Sequence, residues 1–432
     1  MTNSVITRFA PSPTGFLHIG GVRTALFSYL FAKKNNGKFA LRIEDTDKLR
    51  SKEEWTNALI DDLNWLGLKY DTLVKQSDRV AIHSAYIKKM IDSGHAYISK
   101  EKVVEEGQRD EVIRFKNPNK KVVINDLIRG EVIVDTTDLG DFVIARSLEE
   151  PVYHLAVVVD DFEMGITHVI RAEEHLSNTP RQILIQEAIG APRPLYAHLP
   201  LVLAEDRSKL SKRKHGETVS LTYYRDKGYL PQAILNFVAL IGWNPGTDQE
   251  IFSMDELIKS FDLSKVQKGG AIFNVKKLDW VNKKYIDSMS IDEFQKHISQ
   301  YNVPTNLLTT IKERIDKFSD IPDLLSGELS FINSIPSYDK NSLKWKQEVD
   351  LINTKSYLNE IIDIISQINE FNKEQVKEYV WPLTEKYGKG NVLWPMRYAL
   401  SGRDKSPDPF TICEILGKDE VIKRLKHAYE QI

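Results

Sequence analysis

The 432-residue sequence predicts an α/β fold, a parallel sheet interrupted by a small inserted module and followed by a helical tail. Three observations predict it. Strand, helix and strand follow one another by residue 45, the same alternation resumes after residue 151, and the stretch beyond Pro304 carries almost only helix-period patterning. A chain this long exceeds the roughly 250–300 residues at which one core stops growing, so more than one domain is expected.

The elements follow in order. Residues 4–10 (SVITRFA) have the β-branched content and short length of a buried strand. The run PSPTG ends it with an irregular turn. From Val22 the apolar residues Val22, Ala25, Leu26, Tyr29 and Leu30 recur at helical spacing, and Asn35-Asn36-Gly37 stops that helix. Residues 38–45 (KFALRIED) read as a second strand, which completes a βαβ unit. Residues 98–151 change character, with short alternating runs (EVIRF, KKVVI, EVIVD) that predict a small antiparallel insertion. Beyond it, residues 155–161 (LAVVVDD) read as a buried central strand ending in two carboxylates. Residues 167–171 (THVIR) and 199–206 (LPLVLAED) read as further strands, with a helix at 179–189 between them. No internal repeat or low-complexity segment interrupts the chain.

Composition narrows the function classes. Hydrophobic residues at 41% and charged residues at 28% describe an ordinary globular protein. No apolar stretch approaches the ~20 residues needed to cross a bilayer, and the N-terminus lacks a signal-peptide core. A cytoplasmic protein without membrane contact is therefore expected. Lys and Arg number 59 against 61 Asp and Glu, so global charge does not announce a nucleic-acid partner. Cys413 is the single cysteine, which excludes intramolecular disulfides and cysteine-rich metal sites. His83, His95 and His154 are scattered singly and predict no metal ligand set.

Two segments carry chemistry. Pro11-Ser12-Pro13-Thr14-Gly15-Phe16-Leu17-His18-Ile19-Gly20-Gly21 lies between a strand and a helix. Such a turn offers unpaired N–H groups and the positive end of a helix dipole to phosphates. Adjacent glycines allow a nucleotide to approach the backbone, and His18 can donate to a triphosphate. Lys209-Leu210-Ser211-Lys212-Arg213-Lys214 follows a predicted strand and can set two ammonium groups on one polyphosphate. Alone, the first is most often a turn with a packing histidine, and the second a solvated cationic loop. Their joint occurrence, in this order, changes that balance.

Together they resemble the two signature motifs of class I aminoacyl-tRNA synthetases. His18-Ile19-Gly20-Gly21 is similar to the first motif in its glutamyl form, and Lys209 to Arg213 to the lysine-serine loop, with about 190 residues between them. Arg42-Ile43-Glu44-Asp45-Thr46-Asp47, Val158-Val159-Asp160-Asp161 and Val169-Ile170-Arg171-Ala172-Glu173-Glu174-His175 resemble blocks of the glutamyl-tRNA synthetases. So do Gly269 to Phe273 with Leu278-Asp279-Trp280, and Arg397 to Gly402 with Ile415 to Lys418, so the resemblance runs nearly end to end.

The resemblance implies a split Rossmann catalytic domain (1–97 and 152–220), an inserted acceptor-stem domain (98–151), a stem-contact domain (221–303) and an all-α anticodon-binding domain (304–432). It implies catalytic roles for His18, Lys209 and Lys212. ATP would lie on Pro11, Thr14, Gly15, His18, Gly20, Gly21, Lys209, Leu210, Ser211, Lys212 and Arg213. Glutamate would be held by Arg8, Ser12, Glu44, Tyr153 and Arg171. That set also makes chemical sense, since glutamate needs cationic forks for two carboxylates and an acidic partner for its ammonium. The implied partners are ATP with Mg²⁺, L-glutamate and tRNA(Glu), met by a monomer that generally needs tRNA bound before activating its amino acid. Residues 98–150 contain no cysteine, so the zinc of many bacterial members is not expected. Val157 stands where some members carry asparagine and receives no polar role.

Three rivals remain. A glutaminyl-tRNA synthetase would carry histidine at position 21, where Gly21 stands. A short paralogue that glutamylates a queuosine base would lack the helical tail. A non-catalytic synthetase-derived tRNA-binding protein would have lost His18, Lys209 or Lys212, and all three are present. Arg314 is the candidate for reading the anticodon base that decides whether tRNA(Gln) is also charged.

Overall fold

In the computed structural model, residues 4–102, 110–346 and 350–432 are described. The chain divides into two compact units, Met1–Tyr285 and Ile286–Ile432, a division ahead of the 303/304 boundary read from patterning.

The first unit opens with β1 (Ile6–Phe9), α1 (Ile19–Lys34) and β2 (Lys38–Ile43), the βαβ unit expected from the sequence. It continues through α2 (Glu53–Trp65), β3 (Thr72–Lys75) and α3 (Val80–Asp92). A second group comprises β4 (Ala96–Lys100), β5 (Glu111–Phe115), β6 (Lys121–Asp126), β7 (Gly130–Asp135), β8 (Phe142–Ser147) and β9 (Glu150–Pro151). The sheet then resumes with α4 (Tyr153–Glu163), β10 (His168–Ala172), α5 (Thr179–Ile189), β11 (Leu195–Leu199) and β12 (Val202–Leu203). The main sheet has the order β3-β2-β1-β10-β11-β6-β7. Its strands pair in parallel except for the antiparallel β6–β7 edge. β1 has β2 on one side and β10 on the other, so the strand order reverses between β1 and β10. Open α/β sheets bind ligands at that point, beyond the strands' C-terminal ends.

Three expectations are corrected. Residues 155–161 form part of the helix α4, not a strand, and every residue from Leu155 to Asp161 is buried. A helix covered on all sides has no polar stripe, so its apolar run imitates a central strand. The inserted runs 121–126 and 130–135 extend the main sheet through β6, whereas only β4, β5, β8 and β9 form a separate antiparallel sheet. Residues 199–206 do not make one strand. Pro200, which has no N–H to give a ladder, separates β11 from β12, and β12 pairs with β13 (Ala271–Ile272) instead.

The second unit is helical. Its elements include helices spanning Ile291–His297, Leu308–Arg314, Leu351–Gln367, Lys373–Tyr387, Lys389–Ser401, Pro409–Leu416 and Lys418–Gln431. Buried Leu358, Ile361, Val376, Met396, Ile412 and Leu425 supply its own core.

Candidate active site

A cavity of about 550 Å³ opens at the switch point, with Arg8 from β1, Glu44 after β2, Tyr153 at the start of α4 and Arg171 from β10 on its floor. Pro11, Ser12, Thr14, Gly15, His18, Gly20 and Gly21 line one wall, and Lys209 and Leu210 reach it from the loop after β12. The geometry thus gathers both signature segments around one space. The first segment is also tied to the chain that follows the second, since His18 bridges Ser220 and Leu221 N–H donates to the Leu17 carbonyl at 2.8 Å.

His18 is the N-cap of α1, in extended backbone geometry, and its Nδ1 accepts the Gly21 N–H at 3.0 Å. An accepting Nδ1 leaves the proton of the neutral ring on Nε2. The protein packed round the imidazole lowers its pKa, opposed by Glu174 and reinforced by Lys209. A Cβ on Gly20 would stand 3.1 Å from His18 Nδ1, and one on Gly21 would stand 2.8 Å from Leu17 Cδ1. Glycine therefore lets the wall approach this closely.

The loop after β12 is a tight hairpin. Arg207 takes a left-handed conformation (φ 61°), Ala204 N–H donates to Ser208 O at 2.8 Å, and Leu210 N–H to Val202 O at 3.0 Å. Lys209 pairs with Glu174 across the cavity rim. Lys214 is paired with Asp206 at 2.5 Å and does not line the cavity. Lys212 opens α6 (Lys212–His215), and its side chain lies outside the described residues.

The floor is a buried charge network. Arg8, Glu44 and Arg171 are 4%, 8% and 5% exposed. Asp161 Oδ1 accepts from Arg8 Nε at 3.1 Å and from Arg42 Nη1 at 2.6 Å, while Arg42 Nη2 donates to Glu44 at 3.1 Å. Burial would raise the Asp161 pKa, but the guanidiniums of Arg42 and Arg8 hold it below the ordinary carboxylate value. For Glu44 the balance falls the other way. Burial raises its pKa although Arg42 and Arg8 oppose. Arg171 donates from Nη2 to Thr179 Oγ1 at 2.8 Å, and its Nη1 is buried with no hydrogen-bond partner. Tyr153 OH lies 3.0 Å from His175 Nδ1, and burial followed by Arg171 and Arg8 brings the His175 pKa down to about 4.

Residues 4–111 and 98–280 match the catalytic domain of the class I tRNA synthetases (E and Q), and residues 273–429 match an anticodon-binding domain. The chain belongs to that synthetase family. It is similar to a glutamate–tRNA ligase of Aquifex aeolicus, 40% identical over 100% of both chains. A glutamate–tRNA ligase of Carboxydothermus hydrogenoformans is 38% identical, with 98% of this chain and all of that one aligned. The crystal structure of a glutamate tRNA ligase from Elizabethkingia meningosepticum in complex with its amino acid superposes with a TM-score of 0.88 at 35% identity, covering 99% of each chain.

Setting aside Lys212, whose side chain lies outside the described residues, every sequence-predicted residue of the first unit except Ser211 and Arg213 lines the synthetase's cavity. Ser211 lies just outside it, its N–H 3.2 Å from His215 Nδ1. Arg314 belongs to the second unit, where Glu328 accepts from its Nε at 2.9 Å. Sequence reasoning assigned no role to Arg42, Asp161, Glu174 or His198. The signal for Asp161 was a carboxylate inside an apolar run, which demands a buried cation. Among the described residues no group of three His, Cys, Asp or Glu side chains is placed to hold a metal.

Proposed function

We infer that this synthetase is a glutamate–tRNA ligase, acting as a monomer on L-glutamate, Mg-ATP and tRNA(Glu). The observation that carries the amino-acid choice is the buried floor. Three guanidiniums (Arg8, Arg42, Arg171) face two carboxylates (Glu44, Asp161), and Arg171 Nη1 is left unmet. Zwitterionic glutamate carries one net negative charge and balances that set, whereas glutamine is neutral. A buried donor without a partner costs about 1–3 kcal/mol, and more when charged, so a ligand that satisfies it is strongly favoured.

In this reading Arg171 takes the side-chain carboxylate, Arg8 assists, Glu44 receives the ammonium, and Ser12 and Tyr153 orient the substrate. The α-carboxylate then attacks the α-phosphate of ATP, and pyrophosphate leaves. His18 donates from Nε2 to the phosphates, joined by Lys209 and Lys212, while the turn of Pro11, Thr14, Gly15, Gly20 and Gly21 and the loop of Leu210, Ser211 and Arg213 enclose the nucleotide. The terminal ribose 2′-hydroxyl of the tRNA next attacks the activated carbonyl and releases AMP. No protein nucleophile is needed; positioning and charge stabilisation supply the rate. The cysteine-free insertion supports a fold that holds no zinc.

The test is ATP–pyrophosphate exchange with tRNA present, for glutamate and for glutamine. Arg171→Ala should lose most glutamate activation and nearly all preference over glutamine, a preference that such a site can raise to roughly 10⁴-fold. An unchanged ratio would move the selectivity to another residue, with Arg8 next.

A further inference from the structure

Arg171 is held by neutral groups alone, and the way it is held has a specific cause. His198 of β11 is its register partner on the adjacent parallel strand, and Asp126 ends β6, which pairs with β11 at Tyr196. The three side chains form a buried line. Asp126 Oδ2 lies 2.6 Å from His198 Nδ1, and Arg171 Nε lies 3.2 Å from His198 Nε2.

We propose that Asp126 and His198 are positioning residues for Arg171, fixing the imidazole tautomer that aims its unmet Nη1 at the substrate's side-chain carboxylate. This rests on the reading of Arg171 as the carboxylate-binding residue. Burial would raise the Asp126 pKa, but the His198 bond and the N–H groups of Arg129 and Ile128 hold it below the ordinary carboxylate value. An ionised Asp126 can only accept, so Nδ1 carries the ring proton. Burial keeps His198 below the ordinary imidazole value despite Asp126, so Nε2 is bare and accepts the Arg171 Nε–H. Nη2 is held by Thr179 at 2.8 Å, and the guanidinium lies over the Tyr196 ring at 5.5 Å, whose hydroxyl accepts from Gln186 at 2.9 Å. With Nε, Nη2 and one face fixed, only Nη1 remains for a ligand. The opposite tautomer would set an Nε2–H against the arginine's Nε–H, donor against donor, and turn the fork away.

Asp126→Asn tests this effect. Its Oδ1 can still accept the N–H groups of Ile128 (2.9 Å), Arg129 (2.8 Å) and the His198 backbone (3.3 Å), which also reaches Oδ2 at 3.1 Å in the wild type, while an NH₂ replaces Oδ2 and forces His198 to accept at Nδ1. The expected result is a glutamate KM raised on the order of 10–100-fold, the scale of one charge-assisted hydrogen bond, with kcat and the ATP KM within a few-fold. His198→Asn should behave alike, because it reaches Asp126 but not Arg171. His198→Gln, whose Oε1 can take the place of Nε2, should recover most of the affinity. Melting curves check that each variant folds. In the wild type, ¹⁵N spectra should show His198 protonated at Nδ1 and bare at Nε2, a readout that needs no variant to fold. An Nε2–H tautomer overturns the proposal. So do folded Asp126→Asn and His198→Asn with unchanged glutamate KM while Arg171→Ala raises it. If Arg171→Ala leaves that KM unchanged as well, the carboxylate reading itself has failed.

Discussion

His18 serves two structures at once, since its Nδ1 caps α1 while the residue lines the cavity. Asparagine is among the best N-caps but cannot reach as far. His18→Asn should therefore keep wild-type stability yet lose adenylation on the order of 10²-fold, whereas His18→Ala should also lose about 0.5–2 kcal/mol in denaturant unfolding. Equal activity in the asparagine variant would reduce His18 to a cap. Glu44 gives a pH dependence with a definite sign. Its pKa is raised, so it takes up a proton as pH falls through that raised value and then cannot pair with an ammonium. Burial shifts His18, His175 and His198 the opposite way, each below the ordinary imidazole value, so their loss of charge does not reproduce that sign. The glutamate KM should rise as pH falls through the raised Glu44 value, and Glu44→Gln should bind weakly but without that dependence. A flat wild-type profile would contradict the role. At this scale the sequence displayed the polar residues that chemistry needs at strand ends. It did not display their counter-charges, because Arg8 and Asp161 meet across 153 positions and only once α4 has packed beneath β1 and β2.

Among elements, the lysine loop and the first βαβ unit were legible because turn residues and periodicity are local signals. The helix α4 was not, since tertiary burial on every side overrode both its β-branched composition and the polar stripe that marks a surface helix. The β6–β7 hairpin was legible as a hairpin but not as part of the main sheet, for strand pairing at long range leaves no local trace. Lys212→Ala should lower the adenylation rate on the order of 10²-fold with little change in the ATP KM, as expected for a contact that strengthens only when charge builds on pyrophosphate. Normal turnover with a raised ATP KM would make the loop a binding device only. Gly37, at the α1–β2 joint, admits no side chain, because a Cβ there would overlap the carbonyl oxygen of Val5, which accepts the Lys38 N–H at 2.8 Å. Gly37→Ala should cost about 1–3 kcal/mol in denaturant unfolding, and a neutral result would mean that the joint can shift.

For the whole molecule, the two compact units follow the two family matches, the catalytic domain in the first and the anticodon-binding domain in most of the second. Arg314 in the second unit is held by Glu328, so reading a base with it requires that this pair open. Charging of purified tRNA(Glu) and tRNA(Gln) side by side, by wild type and Arg314→Ala, would report whether it excludes the second tRNA. The central claim is that the floor of three guanidiniums and two carboxylates selects glutamate. Pyrophosphate exchange by the wild-type protein, with tRNA(Glu) present and each of the standard amino acids offered in turn, tests it most directly. Exchange with glutamate far above glutamine and aspartate is the predicted result. Exchange with glutamine at a comparable rate, or none with glutamate, would contradict it.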